Sequence, residues 1–145
     1  MTRKYDPLKL SNQLCFPLYA AAKEVVRKYT PALEKIDLTY TQYITMMVLW
    51  EEREISVKAL GERLFLDSGT LTPVLKTLEK KGLIARTRSE KDERVLIATV
   101  TAAGLDLRDN ALSIPGEVAS CVDLTPEEAV ELYRLLHKVL GREVK

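Results

Sequence analysis

Cys15 is followed one helical turn later by Tyr19, so the two side chains share a face if this stretch is helical. A thiol beside a phenol can do redox chemistry. The thiolate is the form that attacks an oxidant, and a tyrosine hydroxyl can donate a hydrogen bond to it. Tyr29 and Tyr40 lie on elements near enough in the chain to contribute further hydroxyls. Sensing by a thiol also needs access for the oxidant and a resolving partner, and Cys121 is the only other cysteine. On the residues alone a packing role for Cys15 stays open, because cysteine in an apolar helix is often a small core residue. The two cysteines form neither a CxxC motif nor zinc-ligand spacing, so no metal is expected. His137, the single histidine, has no spacing that pairs it with either cysteine and reads as a surface or dimer-contact residue. No phosphate-binding glycine loop or dinucleotide fingerprint is present, so neither a cofactor nor an enzyme is expected.

A second group of residues has a different chemistry. Ser68, Thr70 and Thr72 are small hydroxyl donors at the start of an apolar-periodic stretch, with Lys76 one turn further on. Small side chains allow close approach, and hydroxyls can serve base edges or phosphates. Capping accounts for Asp67 and Ser68 but leaves Thr70 and Thr72 unexplained. Arg86 and Arg94 follow, and Asp92 stands two residues before Arg94, where its carboxylate can hold the guanidinium outward as a minor-groove probe. From Asp67 to Arg94 seven basic residues face five acidic ones, so a merely solvated charged loop is the competing reading.

The elements that must position these groups follow from periodicity. Leu10, Leu14, Leu18, Ala21, Val25 and Tyr29 predict a helix over residues 7–29, capped by Asp6-Pro7, kinked at Pro17 and ended by Thr30-Pro31. An apolar helix is expected from Tyr40 to Glu52, and a short one from Val57 to Leu64 capped by Ser56. A third helix opens in Asp67-Ser68-Gly69-Thr70 and stops at Gly82, its start fixed near 67–70 because Pro73 is tolerated in a first turn. The period then changes to that of strands, Leu83–Arg88 and Val95–Val100, around a charged tip. Thr101 caps a helix to about Ile114, with an irregularity at Pro115-Gly116. A last helix starts at Thr125 with a capping box, and its apolar positions wrap broadly enough to call for a second chain. Two short helices followed by a two-stranded ribbon make a winged helix-turn-helix. The expected fold is mainly α with a small β-wing. Residues 40–100 form the reading lobe, and residues 7–38 and 101–145 form N- and C-terminal dimerisation helices.

Composition sets limits on this. The 145 residues are 46% hydrophobic and 30% charged, enough for one domain with a core and no disulfide staple. The net charge of +1 gives no bulk attraction to DNA, so any such attraction must be local. No apolar run could span a bilayer and the first residues are polar, so a cytoplasmic chain with resting thiols and no membrane partner is expected.

The stretch from Ser68 to Gly104, with Leu78-Glu79-Lys80-Lys81-Gly82-Leu83-Ile84 and Asp92-Glu93-Arg94 before Val100-Thr101, resembles the MarR family of winged-helix repressors. Asn12 to Tyr19, Leu38 to Tyr43 and Leu49-Trp50-Glu51 resemble, within it, the organic hydroperoxide resistance regulators and the related staphylococcal thiol regulators. The resemblance implies a homodimer on palindromic operator DNA, released when an organic hydroperoxide oxidises Cys15. It implies that Tyr29 and Tyr40 reach Cys15 from the partner subunit, and that Tyr19 engages after oxidation. Phe16, Leu18 and Met46 or Met47 would favour lipophilic peroxides. Cys121 sits where two-cysteine members carry a resolving thiol, whereas one-cysteine members use a low-molecular-weight thiol. Two rival readings remain: a MarR-type repressor released by a small aromatic ligand, and a thiol peroxidase.

Overall fold

The computed structural model describes residues 3–142. Two single 3₁₀ turns, Asp6–Leu8 and Leu10–Asn12, precede α1 (Cys15–Glu34). The expected helix over 7–29 is therefore displaced, and the cause is local. Asn12 Nδ2 donates to the Asp6 carbonyl at 2.7 Å, and Gln13 Nε2 donates to the Pro7 and Lys9 carbonyls at 2.6 and 2.9 Å. These side chains take acceptors that a continuous helix would need, and the backbone closes into tight turns instead. Asp6 is not the cap of a long helix; its carboxylate accepts from the Arg3 amide and pairs with Lys9. Pro17 falls in the first turn of α1, where its missing N–H costs nothing, so no kink is called for. Pro31 does not end α1 but lies inside it, and burial of Ala32 and Leu33 holds the last turn down.

α2 (Tyr40–Glu52) starts at a capping box in which Thr39 and Gln42 exchange side-chain-to-backbone bonds. It is the central helix, with Met46 and Leu49 wholly buried. β1 (Glu54–Ser56), a strand absent from the periodicity reading, leads into α3 (Val57–Leu64) and α4 (Ser68–Lys80). β2 (Ile84–Arg88) and β3 (Leu96–Val100) follow, and the antiparallel sheet runs β1-β3-β2. β1 has only three residues, too few for alternation to reveal it.

α5 (Ala102–Ala111) and α6 (Ile114–Ala119) replace the single helix expected to run to Ile114. The break falls at Leu112-Ser113, ahead of Pro115, which becomes a first-turn proline of α6. Gly104 lies where α5 meets the turn before β2: a Cβ there would collide with the Leu83 carbonyl and Val100. Trp50 Nε1 donates to the Gly104 carbonyl at 2.7 Å, fastening α2 to the same point. α7 (Pro126–Leu140) begins at the Thr125–Glu128 capping box and buries none of its residues. No described helix is long and apolar enough to cross a membrane.

Candidate redox and nucleic-acid interfaces

The turn between α3 and α4 places α4 at the surface with its first residues outward. Asp67 caps it, its carboxylate accepting from the Thr70 amide at 2.8 Å. Ser68 and Thr70 are exposed and Thr72 half-buried, while Leu71, Leu75 and Leu78 on the opposite face are buried. Hydroxyls are thus presented on either side of the first turns of α4, and exposed Lys76 lies one turn beyond Thr72. Pro73 sits at the sixth residue of α4, one turn deeper than a first-turn proline, and leaves the Gly69 carbonyl without its helical donor.

The wing carries the second group of candidate residues. Ser89 N donates to Val95 O at 2.8 Å and closes the base of the tip. At the tip Arg94 Nε and one terminal guanidinium nitrogen donate to the Asp92 carboxylate at 3.1 and 3.2 Å, yet the arginine side chain is 90% exposed. Asp92 also accepts from the Arg94 amide at 3.0 Å, and these bonds hold its carboxyl below the usual carboxylate range. The guanidinium is thus oriented without being covered. Arg86 is placed differently. Its side chain is largely buried against Glu79 of α4, with bonds from the guanidinium at 3.2 and 3.3 Å and from its amide at 3.1 Å. It braces the wing to α4, and the same contact lowers the Glu79 pKa.

Cys15 is the first residue of α1 and is exposed. No side chain caps that helix end. Tyr19 is exposed one turn on, with the Lys23 ammonium 5.2 Å from its ring centre. Phe16, Leu18 and Met47 are exposed apolar groups, whereas Met46 is sealed in the core. Tyr29 and Tyr40 pack as tilted rings with centroids 4.9 Å apart and continue to Tyr43, which the periodicity did not single out. Burial raises the pKa of all three, with Tyr29 adding a smaller push on Tyr40 and Tyr43, so their hydroxyls are neutral donors at pH 7. Within one chain they cannot reach Cys15: fourteen residues of helix separate Cys15 from Tyr29, about 20 Å at 1.5 Å each.

Cys121 is exposed in the turn after α6, its thiol directed at the Glu117 carbonyl at 3.4 Å. Lys28 Nζ donates to the Cys121 carbonyl at 2.7 Å, which fixes this turn beside the middle of α1. His137 bonds the Tyr133 carbonyl through Nδ1 at 2.7 Å and packs tilted against that tyrosine's ring. Among the described residues no cluster of His, Cys, Asp or Glu could hold a metal ion.

A helix-turn-helix with an arginine-tipped wing, carried between two largely unburied helices, defines a winged-helix transcriptional regulator. Residues 27–110 match the SarA/Rot family of transcriptional regulators. The chain is 44% identical over 140 residues to the organic hydroperoxide resistance transcriptional regulator of Bacillus subtilis, covering 97% of this chain and 95% of that one. It is 47% identical over 132 residues to the SarZ regulator of Staphylococcus haemolyticus, covering 91% and 90%. Its fold resembles AbfR of Staphylococcus epidermidis bound to DNA, in the overoxidised form (TM-score 0.76, 33% identity, 96% and 98% covered) and the reduced form (0.75, 32%, 94% and 96%). The chain belongs to the MarR/SarA-type winged-helix transcriptional regulators, of the organic hydroperoxide resistance regulator type.

Proposed function

We propose that this chain is a homodimeric, redox-sensing repressor of the cytoplasm that binds a palindromic operator when Cys15 is reduced and releases it when an organic hydroperoxide oxidises that thiol. The observation that carries this reading is a split site. Cys15 lies exposed at one end of α1, and the neutral tyrosine pair lies about 20 Å away. A second copy supplies Tyr29 and Tyr40 to Cys15, and the exposed apolar residues of α1 and α7 supply the contact. The names of the similar regulators point to the same chemistry.

The Cys15 thiolate attacks the outer oxygen of the peroxide. A sulfur–oxygen bond forms, the oxygen–oxygen bond breaks, and the departing alkoxide takes a proton to leave as alcohol. Sulfur is oxidised by two electrons and the peroxide is reduced. The sulfenic acid then condenses with a thiol, losing water. Cys121 cannot be that thiol within one chain. It lies beside Lys28, about 20 Å along α1 from Cys15, whereas a disulfide needs Cα atoms within about 7 Å. The partner subunit's Cys121, or a low-molecular-weight thiol, resolves it. The bulkier, polar sulfur disturbs the tyrosine contacts and changes the spacing of the two α4 helices. A difference of about 3 kcal/mol between the two dimer states lowers affinity more than a hundredfold. On DNA, Ser68, Thr70, Thr72 and Lys76 face the major groove and Arg94, set by Asp92, enters the minor groove. The protein reacts once per subunit and does not turn over as an enzyme.

The test is operator binding before and after cumene hydroperoxide, for the wild type, Cys15→Ser and Cys121→Ser, with a non-reducing gel. Release should occur in the wild type and vanish in Cys15→Ser. A disulfide-linked dimer missing from Cys121→Ser assigns the resolving thiol to Cys121. Release retained in Cys15→Ser, or sustained peroxide turnover with a dithiol, would sink the reading.

A further inference from the structure

Lys81 is the C-cap residue that follows α4, and its ammonium is turned toward the start of α2. It donates to the Asp37 carbonyl, meets the Asp37 carboxylate at 3.4 Å and donates to Gln42 Oε1 at 3.3 Å. Gln42 is a buried polar residue, and its Oε1 also accepts from the Thr39 amide at 3.1 Å. That bond is half of the capping box that starts α2, whose first residue is Tyr40. One oxygen atom is therefore shared between the C-cap residue of the candidate recognition helix and the cap that sets the position of Tyr40. Asp37 holds a left-handed backbone conformation (φ 53°), which aims its carbonyl and carboxylate at the same ammonium. Tyr40 and Lys81 also line one cleft of about 480 Å³ with Val26, Thr30, Leu33 and Gln42.

We infer that Lys81 is a positioning residue that latches the C-terminal end of α4 to the Tyr40 end of α2, so that displacement of Tyr40 is passed to the DNA-reading helix. The functional consequence rests on the reading of α4 and Tyr40 given above; the mechanical link itself does not. Apolar packing of α2 against α4 holds the helices together but lets them slide, because dispersion contacts have no direction. The shared hydrogen-bond acceptor fixes one end of α4 relative to one end of α2. Lys81→Met keeps the stem and the packing and removes the donor.

The experiment is a double-mutant cycle on reduced protein, with Tyr40→Ala, Lys81→Met, the pair, and Lys81→Arg as the conservative variant. Two readouts are taken: affinity for the tightest duplex selected by the reduced wild type from a random-sequence library, and amide hydrogen exchange across Leu78–Gly82 without DNA. With the latch in place, Tyr40→Ala shifts both readouts, the affinity by about tenfold. In the Lys81→Met background the shift falls below about threefold, and Lys81→Arg keeps it. Effects that add within about twofold in both readouts overturn the proposal. Non-additive exchange with no duplex bound keeps the latch and rejects the DNA-reading role of α4. Because no peroxide is used, failure of the redox reading leaves the cycle interpretable.

Discussion

Asp92 and Arg94 pair at the wing tip of a nearly neutral chain. A carboxylate near a phosphate backbone should weaken binding through charge alone, and its removal should strengthen it. Asp92, however, holds the Arg94 guanidinium outward through two bonds. Asp92→Ala is therefore expected to weaken operator binding by about tenfold, close to the effect of Arg94→Ala, by a fluorescence titration at fixed salt. The tyrosines make a second residue-scale prediction. Tyr29, Tyr40 and Tyr43 have pKa values raised above 10.0 by burial, so the fold favours their neutral forms. The stability this contributes is complete below the unfolded value near pH 10 and is lost as pH rises through the higher folded values. Tyrosinate absorbance should show a late phase that each of Tyr29→Phe, Tyr40→Phe and Tyr43→Phe diminishes, with unfolding midpoints falling over the same range. Cys15, Tyr19 and the wing arginine could be singled out by type and spacing. The engagement of Arg86 with Glu79 could not, because it pairs residues on different elements.

At the scale of elements, the sequence was readable where caps and apolar period agree. Thr39 and Thr125 open α2 and α7 with full capping boxes, Ser56 and Asp67 cap α3 and α4, and those starts match the expectations. The start of α1 departs from the expected one because apolar spacing continues through Leu10 and Leu14 while Asn12 and Gln13 divert the backbone acceptors. Periodicity reports which face would be buried; it does not report competition for hydrogen bonds. Gly104 offers a sharp test of how the elements meet. Gly104→Ala places a methyl against the Leu83 carbonyl and Val100, where backbone must move. A loss of about 1–3 kcal/mol is expected, measured as a lowered urea midpoint with unchanged slope.

At the scale of the molecule, the unburied helices are the dominant fact. α7 buries no residue, and α1 buries only Ala32 and Leu33, both in its last turn. Helices of this length are marginal in water without an apolar face covered. Val139, 69% exposed on α7, is expected to lie in the dimer contact. Val139→Glu should shift sedimentation toward the 16.4 kDa monomer and weaken operator binding by at least about a hundredfold, since two half-sites are no longer held together. If Val139→Glu stays dimeric with full affinity, α7 is not the interface. The local code of the chain, its caps, apolar stripes and turn glycines, determined where most of the helices start and marked Cys15 and the Asp92–Arg94 pair as candidates. These are short-range properties, set within a few residues. Only the tertiary structure decided that Tyr40 and Tyr43 gather against Tyr29, that Arg86 is a brace and that Lys81 turns back to the cap of α2. Each of those depends on contacts between different elements, and side-chain spacing does not encode where such elements meet.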